Sequence, residues 1–323
     1  MSVVEIKHKW PKDLFLLDLH IGNICNYKCW YCFKGSNEGN HKWPKYEIIT
    51  ENLSHLIDYY NIKTGKKKID FHVLGGEATH WPKFIDFIKY MKDKYDCVFS
   101  LTSNGSKKME WWEKAIPYLD YVTISSHHEY SDKEHLRDLC DFIYDQNVIV
   151  VMVVLMDPTN WDKCMEMVEY YKNSKRKWTI RYQEVLADGL TYTPEQKKVL
   201  NVFRARRNNP FWFWKNNKSY TSSVSVVDEN GKTKKVEDHY LLLEKINRFS
   251  GWECTVGVDW LAVKADGAVE GICGNNLFNE EKRYNLFDLD FKEQFQPTIK
   301  PTICRIDECR CQFEVNATKR KLT

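Results

Sequence analysis

Leu14-Phe15-Leu16-Leu17-Asp18-Leu19-His20-Ile21, followed four residues on by Cys25-Asn26-Tyr27-Lys28-Cys29-Trp30-Tyr31-Cys32, is the stretch on which the reading of this chain turns. The apolar run reads as a strand, which places the three cysteines in the loop beyond its C-terminal end. Three thiolates spaced by three and then two residues can hold three irons of a cubane [4Fe–4S] cluster. Most such clusters take four cysteines, so one iron would stay open to an outside molecule. Two plainer readings stand beside this one. A zinc site could be completed by His20 or His41, because zinc favours four Cys and His ligands, or the thiols could be unrelated.

Outward from this loop, helical and strand patterns alternate. Apolar residues at Ile48, Ile49, Leu53, Leu56, Ile57 and Tyr60 predict a helix over 45–60. Residues 69–74 read as a strand running into Gly75-Gly76-Glu77, and a helix is expected over 82–92 with Pro82 in its first turn. Further strands are expected at 98–102, 121–125, 148–155 and 178–182, with helices at 108–115, 132–145 and 160–172 between them. Six strands alternating with helices predict a parallel sheet built from right-handed crossovers. The continuous apolar run 148–154 suits a strand buried on both faces. Periodicity leaves a doubly wound sheet and a partial barrel both open.

Residues 187–249 differ in character and read as a bridge or insertion between domains 1–186 and 250–323. Thr193-Pro194-Glu195 should start a short helix, Arg204, Arg206 and Arg207 follow, and Asp228-Glu229-Asn230-Gly231 marks a turn. Phe211-Trp212-Phe213-Trp214 is expected to wedge this bridge against the core, a lid being the alternative. Cysteines return at Cys254, Cys273, Cys304, Cys309 and Cys311, and Ala265-Asp266-Gly267 signals a hairpin between the first two. Eleven cysteines, with no apolar signal segment in residues 1–10 and no run long enough to span a bilayer, favour metal or redox sites in a reducing cytoplasm. A formal net charge of +3 is too small at this length to imply a nucleic-acid or membrane partner. Lys319-Arg320-Lys321 reads as a frayed, solvated tail. Cys97, Cys140 and Cys164 fall in strand or helix patterns and read as inert buried thiols.

Cys25, Cys29 and Cys32, with aromatic Tyr31 just before the last, resemble the signature of the radical S-adenosylmethionine (radical SAM) superfamily. The resemblance implies that the amino and carboxylate groups of SAM chelate the open iron. The reduced cluster then cleaves the sulfonium, giving methionine and a 5′-deoxyadenosyl radical that abstracts hydrogen from the substrate. It further implies an α/β core built as a partial (β/α)6 barrel, and a reductase or flavodoxin-type electron donor. Gly75-Gly76-Glu77 would meet the methionyl amino group of SAM, with Tyr31 near its adenine. Ser103, Asn104 and Ser125 would bind its ribose and carboxylate, turn capping being the alternative.

The C-terminal cysteines resemble twitch, the shorter relative of the SPASM domain. That implies a small hairpin-plus-helix domain holding an auxiliary [4Fe–4S] cluster on Cys254, Cys273, Cys309 and one of Cys304 or Cys311. The step from Gly267 to Cys273 is one residue longer than the usual pattern, and a structural zinc is the alternative. At the ends of the fourth to sixth strands lie His127, His128, Glu129, Asp157, Arg181, Gln183 and Glu184. Of these, His127, Arg181, Gln183 and Glu184 are the candidates for substrate contact or proton transfer. His127 and His128, adjacent on an extended segment, should point opposite ways. The expected substrate is a peptide or protein side chain, modified in maturase fashion. A small molecule such as a sugar, aminocyclitol or nucleotide is the alternative. A binding or electron-carrier protein without SAM chemistry is the reading from another class. With its first strand at about residue 14, the chain would have no room ahead of it for a leader-binding domain.

Overall fold

The computed structural model describes residues 3–8, 11–32, 35–174, 177–185, 187, 190–205, 211–212, 219–220, 223–237, 241, 246–270, 283–309, 315 and 317–322. The apolar run ahead of the cysteines is a strand, although not the first. β1 (Val3–Lys7) precedes β2 (Leu14–His20). From there α1 (Tyr46–Thr64) leads to β3 (Lys68–Leu74), and α2 (Phe84–Lys94) to β4 (Cys97–Ser103). α3 (Met109–Ala115) leads to β5 (Tyr121–Ser126), α4 (Lys133–Asp145) to β6 (Ile149–Met156), and α5 (Trp161–Asn173) to β7 (Thr179–Glu184). Pro82 lies in the turn before α2 rather than in its first turn, because the helix starts two residues later. Asp132 caps α4 by accepting from the N–H groups of Glu134 and His135.

β2 to β7 pair in parallel and in chain order, forming a mixed α/β fold. That order has no reversal, whereas a doubly wound sheet reverses where its two halves meet. Crossovers of one hand then carry the helices to one face. On that face Phe15 stacks on Tyr60 of α1 at 4.4 Å, Phe99 meets the edge of Phe87 of α2 at 6.2 Å, and Ser126 bonds Tyr171 of α5 at 3.1 Å. Alternation along each strand turns Asp18, His72, Thr102, Ser125 and Arg181 to the opposite, inner face.

The remaining chain builds around this sheet. α6 (Pro194–Ala205) starts with a capping box, in which Thr193 Oγ1 accepts from Gln196 N–H while Gln196 Oε1 accepts from Thr193 N–H. β8 (Phe211–Trp212) pairs with β9 (Ser219–Tyr220), while Arg206, Arg207, Phe213 and Trp214 lie outside the described residues. β10 (Ser223–Asp228) and β11 (Thr233–Glu237) form the hairpin expected at Asp228, whose Oδ1 accepts from Asn230 and Lys232 N–H. β12 (Glu253–Cys254), β13 (Trp260–Val263), β14 (Ala268–Glu270), β15 (Tyr284–Asn285), β16 (Thr302–Ile303) and β17 (Lys319–Arg320) follow. β13 pairs in parallel with β2, so the Asp-Gly hairpin of β13 and β14 continues the central sheet. A second sheet runs β11-β10-β1-β17-β12-β16.

The basic tail is not frayed. β17 pairs with β1 on one side and β12 on the other, and Lys319 is 2% exposed. Its ammonium donates to Ala317 and Val315 carbonyls at 3.1 and 3.4 Å and lies 5.0 Å from the Phe249 ring centroid. Carbonyls and an aromatic face replace the water that a solvated lysine would keep. At the amino end of the central sheet, buried Asp259 pairs with Lys66 at 2.8 Å and His8 at 3.0 Å. Among the described residues no helix is long and apolar enough to cross a membrane.

Candidate active site

Beyond β3 the chain turns through Gly75 (φ 93°) and Gly76 (φ 48°). A Cβ on Gly76 would sit 2.4 Å from the Ile24 carbonyl oxygen, and one on Gly75 would sit 2.9 Å from that of Gly22. Glycine is required because this turn presses against the backbone that leads into the cysteine loop. The contact is fixed by Glu77 N–H donating to Ile24 O at 2.8 Å and Gly76 N–H to Ser36 O at 3.1 Å. The Glu77 side chain is then 1% exposed. Its Oε1 accepts from Thr79 Oγ1, Ser103 Oγ and Thr79 N–H at 2.7, 2.8 and 3.3 Å, and its Oε2 from Asn104 N–H at 2.7 Å. Burial pushes this carboxyl up, opposed by the donors around it. Among the described residues no cation pairs with it.

Asn104 carries the network to the loop by donating from Nδ2 to Asn26 Oδ1 at 2.9 Å, and Asn26 donates to Ser106 Oγ at 3.0 Å. Fully buried Asn23 pins the segment that follows the cysteines. Its Nδ2 donates to Gly35 O and Asn40 Oδ1, and its Oδ1 accepts from His41 N–H. Neither Asn23 nor Asn26 stands out in the sequence. Their nearest signal is a polar amide beside a strand end.

Cys29 is buried, Cys25 half-buried and Cys32 exposed. Burial, reinforced by Cys32 and Cys25, pushes the Cys29 thiol up to about 12. Burial likewise raises Cys25, with Glu77 and Cys32 adding to it. The three sulfurs therefore sit in each other's field, where bare thiolates are penalised and bound cations relieve the charge. Cys29 Sγ lies 3.3 Å from His127 Nδ1, which Tyr31 Oη also reaches at 3.0 Å. The Tyr31 ring stacks on His127 at 5.9 Å and on His128 at 6.3 Å. The two histidines thus meet one ring rather than pointing apart, because β5 has ended at Ser126 and strand alternation no longer applies. Burial pulls His127 down to about 4, and His128 adds to this, so the ring is neutral near pH 7.

A family model described as the radical SAM superfamily matches residues 19–181. The chain belongs to the radical SAM superfamily. It is 31% identical over 109 residues to an S-adenosylmethionine-dependent nucleotide dehydratase of a Thermoplasmatales archaeon (strain ISO4-H5), covering 33% of this chain and 36% of that protein. It is 29% identical over 100 residues to a probable GTP 3′,8-cyclase of Methanocaldococcus jannaschii, covering 31% and 32%. The match thus spans about a third of the length of either relative. The solved structure of native anSMEcpe with bound AdoMet shares the fold at a TM-score of 0.53 and 17% identity, over 88% of this chain and 81% of that one.

Membership of this enzyme superfamily implies SAM and a [4Fe–4S] cluster, and the donor set suits the cluster. A cluster takes each thiolate on a separate iron, and Cys25 and Cys32 both lie close enough to raise the Cys29 thiol. His41 is engaged through its backbone by Asn23, and the buried His20 Nε2 has no hydrogen-bond partner among the described residues.

The other expected residues divide. Ser103 and Asn104 converge on Glu77, and they also make the turn-capping bonds that rival their SAM role, to Gly105 and Ser106 N–H. Ser125 is half-buried on the inner face. Arg181 lies there too, hydrogen-bonded to Tyr121, while Gln183 is exposed at the end of β7 beside Glu184. Asp157 caps the next turn through Thr159 and Asn160 and stands 3.8 Å from His128. Cys97, Cys140 and Cys164 are buried, and burial raises each thiol. In the C-terminal region Cys254 and Cys304 lie on paired segments, and Cys309 donates its N–H to Asn247 O; all three are buried. Cys273 and Cys311 lie outside the described residues. One inner-face group escapes notice in the sequence: Asp18 bridges His72 Nδ1 at 2.8 Å and Trp260 Nε1 at 3.1 Å, and His72 Nε2 reaches Thr102 Oγ1 at 3.1 Å.

Proposed function

We propose that this chain cleaves SAM reductively on a cluster held by Cys25, Cys29 and Cys32, and modifies a peptide or protein side chain. The observation that carries this is the tie between the Gly75-Gly76-Glu77 turn and the cysteine loop through Ile24, Ser36 and Asn104. It sets a buried carboxyl, without a cation among the described residues, beside three cysteines whose thiolates would repel one another. When bound, the cluster and SAM supply a 5′-deoxyadenosyl radical that abstracts hydrogen. Three donors crowd Glu77 Oε1 and one reaches Oε2, so the acceptor capacity left to the carboxylate lies on Oε2. Its part is to hold the turn in place and supply a negative field for the SAM ammonium. Ser125 contacts SAM from the inner face, and Tyr31 covers its adenine. The sequential parallel order supports a partial barrel whose inner face takes the substrate. Cys254, Cys273, Cys309 and one of Cys304 or Cys311 hold an auxiliary [4Fe–4S] cluster in a twitch-like C-terminal region. A reductase or flavodoxin-type protein delivers electrons.

Asp18 and Asp70 share the inner face with Lys68 and Arg181, so its charged side chains are of both signs. A peptide, which brings amides and charges of both signs, suits such a mixed face. The test is anaerobic reconstitution with iron and sulfide, reduction with dithionite, and assay for 5′-deoxyadenosine from SAM. Product is expected from the wild type and absent from Cys29→Ala/Cys32→Ala. Equal product from both proteins would sink the assignment of the loop.

A further inference from the structure

Cys29 Sγ and Tyr31 Oη share one nitrogen, His127 Nδ1, at 3.3 and 3.0 Å. An iron-bound sulfur carries no proton, so it can only accept. The contact then persists as a hydrogen bond only if His127 keeps its single proton on Nδ1. The surroundings hold the ring to that task. Tyr31 stacks on it at an interplanar angle of 6°, and Tyr27 meets it edge-on at 5.7 Å. His127 N–H donates to Ser131 Oγ at 2.8 Å, and its carbonyl accepts from Tyr130 and Ser131 N–H, closing the turn that carries the imidazole. With Cys29 and Tyr31 both buried, water competes little for the sulfur.

An N–H donor draws electron density from a thiolate, which favours the reduced cluster, and hydrogen bonds to the sulfurs are among the levers that set cluster potentials. We propose that His127 is a positioning residue that raises the reduction potential of the cysteine-loop cluster through Nδ1–H···Sγ of Cys29. This rests on the assignment of the cluster to Cys25, Cys29 and Cys32. It gives His127 a place in the electron-accepting step, before any substrate is touched, instead of in proton transfer to substrate.

The test compares reconstituted wild type, His127→Leu, His127→Asn and Tyr31→Phe, first by iron and sulfide content and then by redox titration followed by electron paramagnetic resonance. Loss of the donor in His127→Leu moves the midpoint negative. At the wild-type midpoint its reduced-to-oxidised ratio falls about tenfold, equivalent to 59 mV for a one-electron couple. His127→Asn retains an N–H on the same side and stays within about threefold of wild type. Tyr31→Phe takes away a hydroxyl that also bonds Cys29 and moves the midpoint the same way as His127→Leu. Recovery in His127→Asn but not in His127→Leu separates a lost donor from general loosening of the loop. The proposal is overturned if His127→Leu and wild type share a midpoint, or if His127→Asn falls as far as His127→Leu. Should His127→Leu fail to assemble a cluster, His127→Ala takes its place: a reduced-to-oxidised ratio about tenfold below that of His127→Asn upholds the proposal, and an equal ratio overturns it. A wild type that takes up no four-iron cluster removes the assignment beneath the proposal, an outcome that iron content separates from the others.

Discussion

Glu77 and Asp259 are both buried carboxylates at ends of one sheet, and they are satisfied in opposite ways. Asp259, at the amino end, has Lys66 and His8 as partners. Burial would raise its pKa, but the hydrogen bond from His8 and the Lys66 ammonium hold it at about 2. Glu77, at the carboxyl end, has only neutral donors among the described residues, and burial pushes it up. A charge neutralised by its own cations can hold elements together and do nothing else. A charge left with a net field beside a loop of thiols costs more to bury and is useful to a cationic ligand. The amino end is a clamp and the carboxyl end is the candidate site.

The sharpest way to break that contrast is at the clamp. Asp259→Asn leaves the Lys66 ammonium buried without its carboxylate and should cost about 3–4 kcal/mol in urea unfolding. In the protein that remains folded, 5′-deoxyadenosine formation should stay within about twofold of wild type. A proportional loss of activity would merge the two ends into one functional unit.

Titration separates the clamp from a third carboxylate. An Asp259 value of about 2 lies below the ordinary aspartate value of about 3.9. Its stabilisation is therefore full above about pH 4 and is lost as pH falls toward 2, amounting to about 2–3 kcal/mol. Asp70, on the inner face, has its Oδ1 without a hydrogen-bond partner among the described residues, and burial pushes it up to about 7. Between about pH 4 and 7 the unfolded chain ionises first, so Asp70 removes stability as pH rises through that window. Asp70→Asn should stabilise the protein by about 2 kcal/mol at pH 8 and by little at pH 4, as read from urea midpoints. A gain of equal size at both values would rule out ionisation as the cause.

At the site, Glu77→Gln keeps the shape but turns an amide NH2 toward a donor, at a cost of about 1–2 kcal/mol. SAM cleavage should fall at least about tenfold, more than the loss of stability accounts for. Smaller still is the contrast in the basic tail. Lys319→Met should cost about 1 kcal/mol by stranding two carbonyls, while Lys321→Ala, on an exposed residue, should stay within about 0.5 kcal/mol.

The alternating core was legible because each strand is an apolar run with a polar or glycine end, and the cysteine spacing is itself a chemical statement. What local pattern could not carry were the long-range pairings. Nothing in Val3–Lys7 or Lys319–Arg320 announces that they lie side by side, 315 residues apart, since a two-residue strand has no period to read. Trp260 likewise gives no sign that its indole will reach Asp18. Gly75-Gly76 is expected to meet SAM, and what the fold brings close to these glycines is the backbone of Gly22 and Ile24. His127 was marked for its position at a strand end, yet its partner Cys29 lies 98 residues away and only the fold brings the two together.

The central claim is that the cysteine loop holds a cluster with one iron open to SAM. The most direct measurement is the electron paramagnetic resonance spectrum of the reduced, reconstituted protein before and after SAM is added. The account predicts a changed spectrum, because SAM enters the coordination of the cluster, and no such signal in Cys29→Ala/Cys32→Ala. A fully loaded cluster whose reduced spectrum ignores SAM would contradict it.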